Sequence, residues 1–119
     1  MGAPVRQATT RDLLCWLLRR LRRFRVVGES MLPTLQPGEE VLVDPRAYRR
    51  RLPEPGEVIL ARHPFVTDSL LVKRVSRVDP ESGASFVVGD NPSQSTDSRS
   101  FGALPRGRLL GRVVATLGP

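Results

Sequence analysis

Ser30 and Lys73 are the two side chains on which acid–base chemistry could be built in this chain. Of its nineteen basic residues eighteen are arginine, and Lys73 is the only lysine. Arginine stays protonated in proteins, whereas burial can strip a lysine of its proton and turn its amine into a base. Lys73 sits inside the apolar run Ser69-Leu-Leu-Val-Lys-Arg-Val75, and Ser30 stands earlier, in Gly28-Glu-Ser-Met-Leu-Pro-Thr-Leu35. A serine hydroxyl beside a desolvated lysine is one way to make a nucleophile. A free lysine has a pKa of about 10.4, so only about one in 2,500 is neutral at pH 7. Apolar neighbours such as Leu70, Leu71, Val72 and Val75 would lower that value. Neither residue is diagnostic alone: a codon bias also yields arginine, and a loop serine is usually a cap or turn former.

The polar stretch Gly89-Asp-Asn-Pro-Ser-Gln-Ser-Thr-Asp-Ser-Arg-Ser-Phe-Gly102 is the third component. Read plainly, it is a solvated loop with Asx turns. Read for function, it is a hydrogen-bonding scaffold around Lys73, with Asp97 and Arg99 able to form a bidentate ion pair. His63 could in principle complete a Ser-His-Asp triad with Ser30, but nothing around it marks it as a base. Cys15 reads as packing or an inert thiol.

The elements that must position these residues are short. Residues 1 to 8 read as a tail. Thr9 or Thr10 can cap a helix running to about Phe24, with Asp12 in its first turn. Leu14, Leu17, Leu18 and Leu21 share one face of it, with arginines off that stripe. Such a basic amphipathic helix can lie on an anionic membrane surface or pack on the domain or a partner. Strands are expected at Glu39 to Asp44 and Glu57 to Arg62, each after a Pro-Gly turn, then at Leu70 to Val78, Ser85 to Val88 and Leu109 to Leu117. The expectation is a mainly β fold in which residues 1–25 form the tail and helix and residues 26–119 the core.

Composition narrows the function classes. At 119 residues, 39% hydrophobic and 26% charged, the chain suits one globular domain with one core. The charge of +7 raises nucleic acid or membrane as partners. One tyrosine and one tryptophan offer no platform for stacking bases, so no specific nucleic acid is expected. A single cysteine excludes an internal disulfide, and with a single histidine it leaves a His/Cys metal site unexpected. Leu13 to Leu18 is too short an apolar run for a bilayer span or a signal-peptide core. The location expected is cytoplasmic, with peripheral membrane contact open through the helix.

Together the three segments resemble the catalytic boxes of the signal peptidase I family of serine-lysine endopeptidases. Ser30-Met-Leu-Pro-Thr-Leu35 is similar to the nucleophile box, Lys73-Arg74-Val75 to the general-base box, and Gly89-Asp-Asn through Ser95, Asp97-Ser-Arg99 and Gly102 to the third. The short form with Ala61-Arg-His-Pro64 is most similar, within that family, to nickel-type superoxide dismutase maturation proteases. The resemblance implies a small catalytic β core without cofactor or metal, acting on an extended precursor peptide. It implies Ser30 as nucleophile, Lys73 as base, Ser95 as the group orienting the lysine, and Asp97 with Arg99 as supports. One departure is Gly28, where many signal peptidases carry a serine whose hydroxyl helps hold the oxyanion. Two rivals stand beside this reading: a protease related to the self-cleaving SOS repressors, and a non-catalytic basic β module binding membrane or nucleic acid.

Overall fold

A computed structural model of the chain describes residues 2–17, 20–94 and 97–118. Among them, helix α1 (Thr10–Leu17) is followed by strands β1 (Arg22–Arg25), β2 (Glu40–Asp44), β3 (Val58–Arg62), β4 (Leu70–Val78) and β5 (Ser85–Val88), a short helix α2 (Ser98–Phe101) and strand β6 (Leu109–Gly118). The six strands form one sheet in the order β1-β2-β6-β3-β4-β5, all pairings antiparallel. The mainly β expectation holds, and the five anticipated strands lie within a residue of their expected limits.

β3 shows why the sheet is stable. Its run Val-Ile-Leu-Ala is apolar throughout because both faces are covered. Val58 and Leu60 join Val26, Met31, Leu35, Val41, Val43, Val72 and Val113 in one core cluster. Ile59 and Ala61 join Tyr48, Val75, Val87 and Leu104 in the other. The Pro-Gly turns before β2 and β3 place Gly38 and Gly56 at φ of 84° and 95°, a backbone region that favours glycine. The basic loop between β2 and β3 is tied to the sheet by Glu57, which accepts from Tyr48 Oη at 3.2 Å and from Arg51 at 3.1 and 2.8 Å.

The N-terminal expectation needs correcting. The chain from Arg22 to Arg25 does not continue the helix but forms edge strand β1, in register Arg22↔Val43 to Arg25↔Glu40. Here the alternation of Arg-Phe-Arg overrides the leucine stripe. Phe24 packs on the first core cluster, while Arg23 and Arg25 reach Glu40 at 3.0 and 2.7 Å. Leu18, part of the expected stripe, lies outside the described residues.

Candidate active site

The order of the sheet leaves one end of β4 open. Strand β5 pairs only with Arg74 to Val78, so Leu70 to Lys73 are paired on the β3 side alone. The bonds from His63 N–H to Ser69 O and from Val75 N–H to Glu57 O, both 2.8 Å, fix which residues face β3. By alternation Leu71 and Lys73 bond toward β3, while Leu70 and Val72 turn their N–H and C=O toward the open edge. Facing that edge is the segment from Val26 to Met31, and between them runs a groove of about 540 Å³.

Gly28, Ser30 and Lys73 all line this groove. Ser30 is half-buried at the start of the turn that leads to β2, and Gly28 sits at φ 81°. Lys73 is buried, with 4% of its surface exposed. Burial pushes its amine below the ordinary lysine range; the Asp97 carboxylate opposes this shift and the Arg99 guanidinium adds to it. The groove therefore brings a hydroxyl and a lysine biased toward its neutral form to one surface.

The third segment is wired to the other two. Asp90, in the loop after β5, accepts from Arg74 Nε at 2.9 Å and Nη2 at 2.8 Å, and from Thr34 Oγ1 at 2.5 Å. Burial would raise its pKa, but the bonds from Arg74 and Thr34 hold it below the usual carboxylate range. Arg74 also donates to Gly56 O at 2.7 Å and Ala3 O at 2.9 Å. Asn91 completes the link, its N–H donating to Ser30 O at 2.8 Å and its Nδ2 to Glu29 O at 3.1 Å. The Ser30 segment, the polar loop and Arg74, the neighbour of Lys73 on β4, are thus held by hydrogen bonds that converge on two adjacent residues. Reasoning from sequence assigned no role to Asp90, Asn91, Arg74 or Thr34. The signal available was position, since each falls inside one of the three boxes.

Asp97 is fully buried. It caps α2 by accepting from Arg99 N–H at 3.0 Å, holds Arg99 through Nε at 3.0 Å and Nη2 at 2.7 Å, and accepts from Gly89 N–H at 3.3 Å. The bidentate pair expected from sequence is present. Ser95 and the side chain of Cys15 lie outside the described residues. His63 is not in the groove: it lines a neighbouring hollow, and its Nδ1 accepts from Phe65 and Val66 N–H, both at 3.0 Å.

A mainly β sheet that sets a serine and a buried lysine on one groove is the architecture expected of a small serine-lysine hydrolase. The family model described as signal peptidase, peptidase S26 matches residues 13–82 and 77–117, so the chain belongs to that family and is a signal-peptidase-like protease. It is similar to mitochondrial ATP-independent inner membrane protease subunit 1b of Arabidopsis thaliana, at 31% identity over 77% of this chain and 67% of that one. It is similar also to mitochondrial inner membrane protease subunit 1 of Schizosaccharomyces pombe, 30% identical over 77% and 70% of the two chains. The human subunit 1 is 26% identical over 77% and 66%.

These relatives correct two expectations. They are named as inner membrane proteases, which overturns a cytoplasmic location and points to membrane association. None of them is named for superoxide dismutase maturation, so that finer resemblance gains no support. Among the described residues no helix is long and apolar enough to cross a membrane.

Proposed function

We propose that the chain is an endopeptidase that removes a leader from a precursor protein through a Ser30–Lys73 dyad. The observation that carries this is a single groove lined by Ser30 and a buried Lys73, whose pKa burial lowers, in a chain of the peptidase S26 family. Neutral Lys73 takes the Ser30 hydroxyl proton as Oγ bonds to the scissile carbonyl carbon. The resulting lysine ammonium gives that proton to the departing amine as the C–N bond breaks. Water then hydrolyses the acyl-serine, with Lys73 again accepting a proton. The Ser30 N–H is one donor to the oxyanion, and Gly28 leaves the groove without a side-chain hydroxyl at its position. Ser95 orients the amine, and Asp97 with Arg99 fixes the loop behind it.

The substrate lies extended along the open edge of β4, where Leu70 and Val72 offer N–H and C=O groups to an added strand. Its source is a precursor at a membrane, in keeping with the names of the relatives. A nickel superoxide dismutase precursor is one substrate to assay, although the relatives give it no support.

Mass spectrometry of candidate precursors incubated with wild type, Ser30→Ala and Lys73→Arg tests the mechanism. One new N-terminus made by wild type alone is the expected result. Lys73→Arg keeps the charge and removes the base, so cleavage by it at the wild-type rate would refute the dyad.

A further inference from the structure

His63 performs with a ring what asparagine or aspartate performs by default. In an Asx turn the side-chain oxygen accepts from the backbone two residues on, and Asn-Pro or Asp-Pro is a favoured place for it. His63 precedes Pro64, and its Nδ1 accepts from Phe65 N–H and Val66 N–H, both at 3.0 Å. A ring nitrogen accepts only when it carries no proton, so both bonds require the neutral imidazole with its proton on Nε2. The ring also meets Phe101 edge-on, with centroids 5.2 Å apart. Asparagine could make the two bonds but has no ring for Phe101; phenylalanine could meet Phe101 but cannot accept.

What hangs on this turn is one wall of the groove. His63 N–H donates to Ser69 O at 2.8 Å, and Ser69 N–H donates to Val66 O at 3.3 Å. Between them Asp68 is held at φ 61°, a region that residues other than glycine seldom adopt and that the surrounding turn has to enforce. Asp68, Ser69 and Leu70 all line the Ser30–Lys73 groove. The ring contact reaches the other support of the site. Phe101 ends α2, whose first turn is capped by Asp97, the carboxylate whose charge acts on Lys73.

We propose that His63 is a positioning residue of the peptidase, whose neutral Nδ1 holds the turn that sets the β4 wall of the Ser30–Lys73 groove. It acts through Asp68, Ser69 and Leu70 and takes no part in the dyad. Its ring ties the same wall to α2 and so to the loop behind Lys73. The role rests on the groove being the substrate site, but the state of the turn can be read by NMR without any cleavage.

The test compares wild type with His63→Phe, which keeps the ring and loses the acceptor, and His63→Asn, which keeps an acceptor and loses the ring. At about pH 8, where a free imidazole is neutral, nitrogen NMR should show wild-type Nδ1 bare and Nε2 protonated. Amide exchange at Phe65 and Val66 should rise by about fivefold or more in His63→Phe and stay near wild type in His63→Asn. Cleavage is followed with a fluorogenic peptide carrying alanine on each side of the scissile bond. KM should rise about fivefold in His63→Phe, with kcat changed by less than about twofold. In His63→Asn KM should stay near wild type, although the melting temperature falls with the lost ring contact. A role in stability alone would make KM follow melting temperature, whereas the proposal has KM follow the acceptor. A protonated Nδ1, unchanged exchange and KM in His63→Phe, or a KM in His63→Asn as high as in His63→Phe would each overturn it. If wild type cuts no peptide the dyad reading fails, and affinity of the Ser30→Ala protein for the same peptide replaces KM. Binding weakened by His63→Phe and not by His63→Asn then supports the positioning role, and equal binding overturns it.

Discussion

Asp90→Ala should be among the most damaging single substitutions in this protein, although Asp90 lies outside the proposed Ser30–Lys73 dyad. The side chains of Arg74 and Asp90 are 8% and 4% exposed, and they meet in a bidentate pair. Removing one member of a buried ion pair strands the other charge and costs about 3–5 kcal/mol. Arg74 would keep Gly56 O and Ala3 O as acceptors, so the lower end, about 3 kcal/mol, is expected. With an unfolding entropy of about 2.1 cal/mol/K per residue over 119 residues, that corresponds to a fall in Tm of about 12 °C. Arg99→Ala serves as the control. Its partner Asp97 is buried and would lose two donors, but it keeps the backbone N–H groups of Gly89 and of position 99, and Arg99 itself is 58% exposed, so a smaller loss, about 1–2 kcal/mol, is expected.

Acid provides a second reading of the same pair. The folded pKa of Asp90 is depressed, so the native state binds fewer protons than the unfolded chain as the solution is acidified. The stability margin of wild type over Asp90→Ala is therefore full above the unfolded carboxylate pKa of about 3.9 and shrinks as pH falls through the folded value. Urea or thermal melts across that range measure it. Replacing both partners, Arg74→Met with Asp90→Leu, should cost less than Asp90→Ala alone, because no charge is left stranded. Equal melting of Asp90→Ala and Arg99→Ala, or a margin independent of acid, would refute this account of how the loop is held.

The lowered pKa of Lys73 predicts a rate of cleavage that rises with pH along an acid limb lying below the ordinary lysine range, read from kcat/KM against pH. In the same range the stability of wild type should rise with pH, because the native state binds fewer protons than the unfolded chain; Lys73→Met should lack that rise, melt no lower than wild type at neutral pH, and be inactive. Gly28→Ser puts a hydroxyl into the groove at φ 81°, so a stability loss of about 1–2 kcal/mol is expected by chemical denaturation. A Cβ at Gly111 would overlap Asp44 O and lie 2.7 Å from Val43 Cγ1. Gly111→Ala should therefore loosen the β2–β6 pairing by about 2 kcal/mol, seen as a lower midpoint in urea.

Five strands could be read from the chain because their signals are local. Pro37-Gly38 and Pro55-Gly56 mark turns, and short apolar runs such as Val58-Ile-Leu-Ala61 directly after them read as strands. The edge strand β1 could not be read in the same way. Leucines at helical spacing extend to Leu21, and the pairing of Arg22–Arg25 with β2 is decided by residues fifteen to twenty-one positions away. The boxes named Ser30, Lys73 and Asp97 as candidates, but no local rule selects Arg74 from eighteen arginines as the partner of Asp90. That choice follows from β4 alternation, which turns Lys73 and Arg74 to opposite faces. The groove was illegible for the same reason, since its walls come from residues 26–31 and 68–73.

The unequal lengths of β4 and β5 are what join fold to function. β4 has nine residues and β5 four, so the pairing covers Arg74 to Val78 and stops beside the lysine. A longer β5 would occupy the edge of Leu70 to Lys73 and close the groove. A freely exposed edge of any length would invite pairing between chains. The chain meets both constraints by turning away after Val88 into Asp90 and Asn91, which bind Arg74, Thr34 and the backbone of Ser30. The bonds that end β5 are thus the bonds that hold the Ser30 segment opposite the open edge. If that is the logic of the fold, the open edge and the placement of Ser30 cannot be lost separately. Asp90→Ala should raise hydrogen exchange at Ser30 to Leu35 and at Leu70 to Lys73 together, and exchange that rises in one segment alone would break the argument.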